Sequence, residues 1–313
     1  MRPYTVIWCG LVSLVGSCIT FGNFPPIKTA LLAFFIPMMG WIAGLYLSDY
    51  LDKNLDSIEK PHRPIPSGRI KPKEALIVGA IFAATGFSLS FLLNFYNIIL
   101  VFIVAILVFL YAKISKSQGI LGNINRGFII AAAYIFGVFS IGSNLQSIPI
   151  YVWLLSIIFF IHDANSNLVG TIRDVEGDKK GGYETIPVKY GIINSIYISF
   201  ILTIIYVSLT AFLIYYYNFL MFPIRFLLLF SLVIVILFIL FMTLLKLKDT
   251  ISRKQALHAH EFIIAERITF ASAFIIGIIS SILYSTVIFI VSITVTLTTQ
   301  YLIRKRYEFE EIP

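Results

Sequence analysis

Long apolar segments alternate with short polar ones along almost the whole chain. Runs long enough to cross a bilayer, which takes about 20 residues, lie at 4–21, 27–47, 74–93, 97–112, 123–142, 148–170, 191–217, 224–245, 262–280 and 282–303. The pattern predicts an all-α, polytopic membrane bundle of nine to ten transmembrane helices. Because almost nothing separates the last two runs, residues 262–303 form either two full spans or one span and a re-entrant segment.

Composition supports this class, since 58% of the 313 residues are hydrophobic and only 13% are charged. Mean hydropathy is +0.91, far outside the range of a soluble domain. The net charge of +8 could suggest a nucleic-acid partner. However, these basic residues are unevenly distributed. All lysines and arginines except Lys28 and Arg225 lie at the N-terminus or close to the polar segments after the second, fourth, sixth, eighth and tenth runs. This distribution predicts a multi-pass protein of the cell membrane, with both termini and the basic loops in the cytoplasm and no nucleic-acid partner.

One polar stretch, Ser48–Gly68, interrupts the apolar sequence after the second run. Asp49, Asp52 and Asp56 follow a spacing of i, i+3 and i+7, so they share one face if the preceding helix continues through them. Clustered carboxylates repel each other and need a cation, and oxygen ligands of this kind suit Mg²⁺. Arg63 follows in a proline-rich loop. The stretch is therefore predicted to hold metal and phosphate at a membrane surface.

A second acidic stripe begins inside the sixth apolar run and continues beyond it. The stripe consists of Asp163, Asn167, Asp174 and Asp178, which are spaced by 4, 7 and 4 residues. Such spacing keeps the four side chains on one face of a helix, and polar groups at membrane depth usually face a cavity or a partner. Arg173 lies beside the carboxylates. For His162, at the start of this segment, a satisfied structural histidine is favoured over a catalytic one.

The two halves of the chain, about 1–142 and 143–313, repeat this arrangement within what we predict to be a single integral-membrane domain. Each half has an apolar helix that ends in aspartates and leads into a basic loop with glycine or proline. The intervening loop at 111–122 carries Lys113 and Lys116. These lysines either meet a diphosphate or serve as ordinary cytoplasmic anchors, and the sequence leaves both interpretations open.

The motifs S-D-Y-L-D-x-x-x-D…P-H-R-P-I-P-S-G-R-I and R-D-V-E-G-D-x-x-x-G-Y-x-T-I-P-V-x-Y-G resemble the two signature loops of the UbiA superfamily of intramembrane prenyltransferases. The resemblance implies a helical bundle around a central, lipid-accessible cavity. It also implies Mg²⁺-dependent transfer of a prenyl group from a polyprenyl diphosphate to a hydrophobic acceptor. Ser48 departs from the pattern, because the family usually has Asn or Asp there.

The resemblance also assigns roles to individual residues. By this match the metal ligands are Asp49, Asp52, Asp56, Asp174 and Asp178, and four of these, Asp49, Asp52, Asp174 and Asp178, are the catalytic carboxylates. By the same match Arg63, Lys116 and Arg173 lie near the diphosphate, and Asn167 of the polar stripe is also expected to contact it. The acceptor is either an archaeal-type glycerol-phosphate ether or an aromatic precursor of quinones or chlorophyll. The alternative from a different class is a membrane transporter or carrier of phosphorylated isoprenoid lipids.

Overall fold

The computed structural model describes residues 3–59, 61, 63–142, 144–246 and 253–307. The extreme termini, whose cytoplasmic location the charge pattern predicts, lie outside these ranges. The helices are α1 Val6–Phe21, α2 Ile27–Leu51, α3 Lys53–Glu59, α4 Pro72–Ser90, α5 Phe95–Lys113, α6 Ile120–Ile141, α7 Ile150–Lys180, α8 Ile186–Tyr190, α9 Ile192–Tyr217, α10 Pro223–Leu245, α11 Arg253–Ile278 and α12 Ile282–Tyr307. No strand occurs in the described ranges, so the prediction of an all-α fold is confirmed.

Nine of the helices among the described residues are long and apolar enough to cross a membrane. A tenth long helix, α11, is not in that set, because Glu261, Glu266 and Arg267 lie along it together with two histidines. α11 and α12 each have 26 residues, or about 39 Å of helix. Residues 262–303 therefore lie in two full-length helices, and neither is a short re-entrant segment.

The centre of the bundle is built from α1, α6, α7 and α11. α1 and α6 approach closely at two glycines, since a Cβ on Gly16 would lie 2.2 Å from the carbonyl oxygen of Tyr134 and one on Gly137 would lie 1.7 Å from that of Ser13. Small residues allow helix backbones to pack at such short range in membrane proteins. The more peripheral α4, α5, α10 and α12 present large apolar side chains outward, as a lipid environment requires.

The first aspartate segment does not form one uninterrupted helix. α2 ends at Leu51 and α3 begins at Lys53, with Asp52 between them at φ −85° and ψ 0°. Helical hydrogen bonding nevertheless crosses this turn, because the Asp52 N–H donates to the Ser48 carbonyl and the Asp56 N–H donates to that of Asp52, both at 2.8 Å. The angular phase of the three carboxylates is therefore preserved despite the interruption.

The second aspartate segment is a single helix. α7 has 31 residues, about 46 Å, and therefore extends well past the apolar part that the hydropathy pattern assigned to the membrane. The stripe from Asp163 to Asp178 lies on this one element. Whether the two halves are true repeats stays a prediction.

Candidate active site

A polar cavity of about 230 Å³ lies where the ends of α2 and α7 meet α3, α5, α6 and α11. All five aspartates that the sequence singled out as metal ligands line it: Asp49, Asp52, Asp56, Asp174 and Asp178. They come from positions more than 100 residues apart in the chain. The structure therefore brings the two predicted acidic clusters into one cavity.

Three basic side chains face these carboxylates across the cavity. Arg63 lies 2.5 Å from the nearer Asp56 oxygen and 4.0 Å from Asp49 Oδ1. Lys116 Nζ donates to Asp52, and Arg173 forms a two-point contact with the carboxylate of Asp174. These side chains are mostly buried, with exposed fractions between 5% and 18%. Each predicted diphosphate-binding cation is thus held against a carboxylate.

Two loops from different halves of the chain are joined beside this cluster. The N–H of Glu184 donates to the carbonyl of Ser117 at 2.9 Å. The hydroxyl of Tyr183 lies 3.4 Å from Asp52 Oδ1, and that of Thr185 donates to Asp178 Oδ2 at 3.1 Å. The loop after α7 therefore contacts both aspartate segments, and Tyr183 and Thr185 were not predicted from the sequence.

The structure decides between the two lysines of the loop at 111–122. Lys116 reaches the cavity, whereas Lys113 is exposed and its ammonium lies 5.6 Å from the ring centre of Phe109. Asn167 lines the cavity as predicted, and its side-chain oxygen accepts from the Tyr111 hydroxyl at 3.3 Å. Glu176, which the helical spacing excluded from the stripe, is exposed and lies outside the cavity.

Asp163 belongs to the predicted stripe but serves a buried network beneath the cavity. Trp8 Nε1 donates to one of its oxygens at 2.9 Å, and Arg126 Nε donates to the other at 3.1 Å. The neighbouring His162 is also buried, with its Nε2 2.8 Å from Glu266 Oε2. His162 does not line the cavity, which fits a structural role, although it lies in the middle of α7.

The structure adds three cationic or titratable residues to the lining that the sequence reasoning did not select: Arg126, His260 and Arg267. Arg126 stacks over the ring of Trp41, with its guanidinium carbon 4.3 Å from the ring centre. Charges within apolar runs usually mark functional or paired sites. Arg126 and Arg267 could have been found by that signal.

An apolar chamber of about 480 Å³ adjoins the polar cavity between α2, α4, α5 and α6. The two share Trp41, Gly44, Val108 and Ile129 in their walls. Leu76 and Phe102 also line the chamber and are 40% and 56% exposed. Because exposed apolar residues lie at its edge, the chamber is open toward the side of the bundle that faces lipid.

The residues of the polar cavity fit Mg²⁺ by their donor chemistry. Around the aspartates, five carboxylates face only Arg63, Lys116 and Arg173, while Arg126 and Arg267 lie elsewhere in the lining. Within the part of the chain that the structure describes, no three His, Cys, Asp or Glu side chains are grouped closely enough to enclose an ion. Mg²⁺ commonly takes only one or two carboxylates and completes its shell with phosphate and water. The cavity therefore suits ions that are shared with a phosphorylated ligand.

Comparisons with known proteins agree with this arrangement. The profile of the UbiA prenyltransferase family matches residues 8–264. A digeranylgeranylglyceryl phosphate synthase of Thermococcus sibiricus is 31% identical over 195 residues, which cover 62% of this chain and 68% of the relative.

Solved structures show the same fold. A structure concerning digeranylgeranylglyceryl phosphate synthase in membranes is 28% identical, covers 90% of this chain and 99% of its own, and has a TM-score of 0.64. A UbiA homologue from Archaeoglobus fulgidus bound to GPP and Mg²⁺ is 16% identical, with a TM-score of 0.57 over 96% of this chain and 99% of the homologue. The resemblance noted from the two motifs is confirmed, and the chain belongs to the UbiA prenyltransferase family.

Proposed function

We propose that this protein transfers a geranylgeranyl group from its allylic diphosphate to the hydroxyl of a geranylgeranylglyceryl phosphate, in a Mg²⁺-dependent reaction that releases diphosphate. The observation that carries the proposal is the junction of an aspartate-lined, metal-suited cavity with an apolar chamber. A diphosphate lies in the first while its prenyl chain extends into the second. The carrier alternative has no support from the family, whose members are prenyltransferases.

The diphosphate head is proposed to bind among Arg63, Lys116 and Arg173, with Asn167 contributing an amide. The five carboxylates of this region outnumber its three cations and would repel a diphosphate in the absence of metal. Mg²⁺ held by Asp49, Asp52, Asp56, Asp174 and Asp178 would supply charge neutralisation to the leaving group. On diphosphate binding, the three cations exchange their carboxylate partners for phosphate oxygens.

The reaction breaks the bond between C1 of the prenyl group and the diphosphate oxygen, and the electron pair leaves with the diphosphate. The acceptor oxygen forms the new bond to C1, and its proton passes to an oxygen of the departing diphosphate. The developing allylic cation needs a dry environment, because water would capture it. Trp41, Val108 and Ile129 at the junction exclude water there.

The choice of acceptor rests on the relatives. Several proteins that are similar over about two thirds of their length are digeranylgeranylglyceryl phosphate synthases. A product with two geranylgeranyl chains on one glyceryl phosphate results when the second chain is added to a singly alkylated glyceryl phosphate. Of the two acceptor classes that the sequence left open, the glycerol-phosphate ether is therefore favoured over the aromatic precursor.

The polar cavity and both termini are proposed to face the cytoplasm. The support is the positive-inside distribution of lysine and arginine, since all but two of these residues cluster at the termini and around the loops on the aspartate side. Water-soluble diphosphate would then leave directly into the cytoplasm.

The test is product formation by the purified protein in lipid nanodiscs. It would receive geranylgeranyl diphosphate, Mg²⁺ and either geranylgeranylglyceryl phosphate or a 4-hydroxybenzoate-type aromatic acceptor, with products identified by mass. We expect the doubly alkylated glyceryl phosphate, and no product when EDTA is present. Transfer to the aromatic acceptor alone would refute the proposed acceptor, and absence of any transfer would refute the enzymatic proposal.

A further inference from the structure

The guanidinium of Arg267 is buried in the wall of the polar cavity with most of its donors unused. The residue is 3% exposed, and its Nη2 donates to the Ser166 hydroxyl at 3.0 Å. Its Nε and Nη1 have no hydrogen-bond partner among the described residues. A buried cation in this state is costly unless an anion is supplied.

The nearby carboxylates do not supply that anion. Asp163 and Glu266 are both within electrostatic reach of Arg267, but both oxygens of each are engaged elsewhere. Those of Asp163 accept from Trp8 and Arg126. Those of Glu266 contact other side chains, His162 Nε2 at 2.8 Å and the Tyr206 hydroxyl at 3.1 Å. The free donors of Arg267 are therefore available to a ligand.

The position of Arg267 separates it from the aspartate cluster. Ser166, which holds the guanidinium, and Asp174 are eight residues apart on α7, a rise of about 12 Å along the helix. Both line the same cavity, as does Gly170 between them. Arg267 does not line the apolar chamber, which adjoins the cavity at Trp41 on α2 and its neighbours. The guanidinium thus lies apart from both the diphosphate region and the chamber for the donor chain.

We infer that Arg267, held by Ser166, is the binding site for the phosphate group of the acceptor, with Arg126 as the neighbouring second cation. This inference rests on the proposed function and specifies how that function selects a phosphorylated acceptor. A phosphomonoester carries close to two negative charges at neutral pH and matches the planar donor fork of a guanidinium. An acceptor bound there has its phosphate at Arg267, while the donor's diphosphate lies at the aspartate cluster. The acceptor's hydroxyl then lies between these two groups, facing the prenyl C1.

The experiment compares geranylgeranylglyceryl phosphate with dephosphorylated geranylgeranylglycerol as acceptors, at saturating geranylgeranyl diphosphate and Mg²⁺. In Arg267→Met we expect KM for the phosphorylated acceptor to rise roughly 10- to 100-fold, as loss of a charge-assisted contact predicts. KM for the dephosphorylated acceptor and for the donor stays within about twofold, because neither contacts Arg267. An equal effect on both acceptors, or an increase in the donor's KM alone, would overturn the inference.

Two controls separate folding from recognition. Arg225→Met removes a half-buried arginine whose guanidinium stacks on Phe222, away from the cavity, and should change neither acceptor's KM. If Arg267→Met does not fold, as judged by gel filtration and thermal unfolding, Ser166→Ala takes its place. It should raise KM for the phosphorylated acceptor about 3- to 10-fold through loss of one hydrogen bond and leave the other acceptor unchanged; equal effects would overturn the inference.

Failure of the proposed function would give a different result. If the unaltered protein alkylates neither glyceryl acceptor, the proposed function is wrong. The phosphate site at Arg267 is then tested by binding alone. Glycerol 1-phosphate should raise the thermal unfolding temperature of the unaltered protein, and the rise should be smaller in Arg267→Met, or in Ser166→Ala where that variant is used instead. An equal shift in both proteins would overturn the inference about Arg267.

Discussion

Replacing Asp174 by Asn tests whether the aspartates act in catalysis or serve only as partners of buried cations. The substitution keeps the shape of the side chain and removes one charge from a cluster in which five carboxylates face three cations. The Asp174 side chain is 20% exposed and contacts Arg173. The neutral amide still accepts a hydrogen bond from that guanidinium, so the loss is about 1 kcal/mol, and relief of carboxylate repulsion offsets part of it.

The effect on turnover should be much larger than the effect on stability. Loss of one preorganised electrostatic contact to a developing charge lowers the rate by roughly 10²–10³-fold, or about 2.7–4 kcal/mol. Asp49→Asn on the other segment should give a similar loss. The double variant should lose less than the product of the two factors, because groups that act on one diphosphate as a unit are not additive.

The assay is diphosphate release from geranylgeranyl diphosphate under single-turnover conditions across a Mg²⁺ titration, with thermal unfolding measured in metal-free detergent. Glu176→Gln is the matched control, since this carboxylate lies on the same helix, is exposed and does not line the cavity. It should retain normal turnover. If Asp49→Asn and Asp174→Asn both keep Mg²⁺-dependent release within about threefold of the unaltered protein, the aspartates only pair with cations and the reasoning about catalysis is wrong.

Three further predictions concern the lysines, topology and packing. Lys116→Met should raise KM for the donor diphosphate about tenfold or more, whereas Lys113→Met, which alters an exposed lysine outside the cavity, should leave it unchanged in the same kinetic assay. A single cysteine at Ser67, in a background without the native cysteines, should resist an impermeant thiol reagent in intact cells and react after permeabilisation. Labelling of this cysteine in intact cells would reverse the proposed topology. Gly137→Ala should destabilise the protein by about 3 kcal/mol through overpacking, because its Cβ would lie 1.7 Å from a carbonyl oxygen of α1. An unchanged unfolding temperature would show that α1 and α6 separate freely.

The sequence by itself determined the class of fold and the composition of the acidic clusters. Lipid cannot satisfy backbone polar groups, so long apolar runs must be helices, and nine of the described helices meet the length and hydropathy expected of a span. Helical spacing placed Asp174 and Asp178 on one face and Glu176 on another. These are local properties, which depend only on neighbours within two or three turns.

Tertiary structure decided which of these residues meet. Lys113 and Lys116 are equivalent in the charge pattern, yet only Lys116 reaches the cavity, because a short 3₁₀ turn at Ser115–Ser117 separates it from the end of α5. The contact of Tyr183 with Asp52 joins residues 131 positions apart. No periodicity encodes such pairs, since they depend on how the helices pack.

The same limit explains why the part of the cavity wall that contains Arg267 was missed. Arg267 lies in an apolar run and could be flagged as unusual from the sequence, but its meaning depends on whether a carboxylate reaches it. Glu266 is its direct neighbour in the chain, and adjacency in the sequence alone suggests an ion pair between them. On a helix, consecutive side chains point about 100° apart. Glu266 therefore contacts His162 and Tyr206, while Arg267 faces the cavity, and its Nε and Nη1 have no hydrogen-bond partner in the described part of the chain.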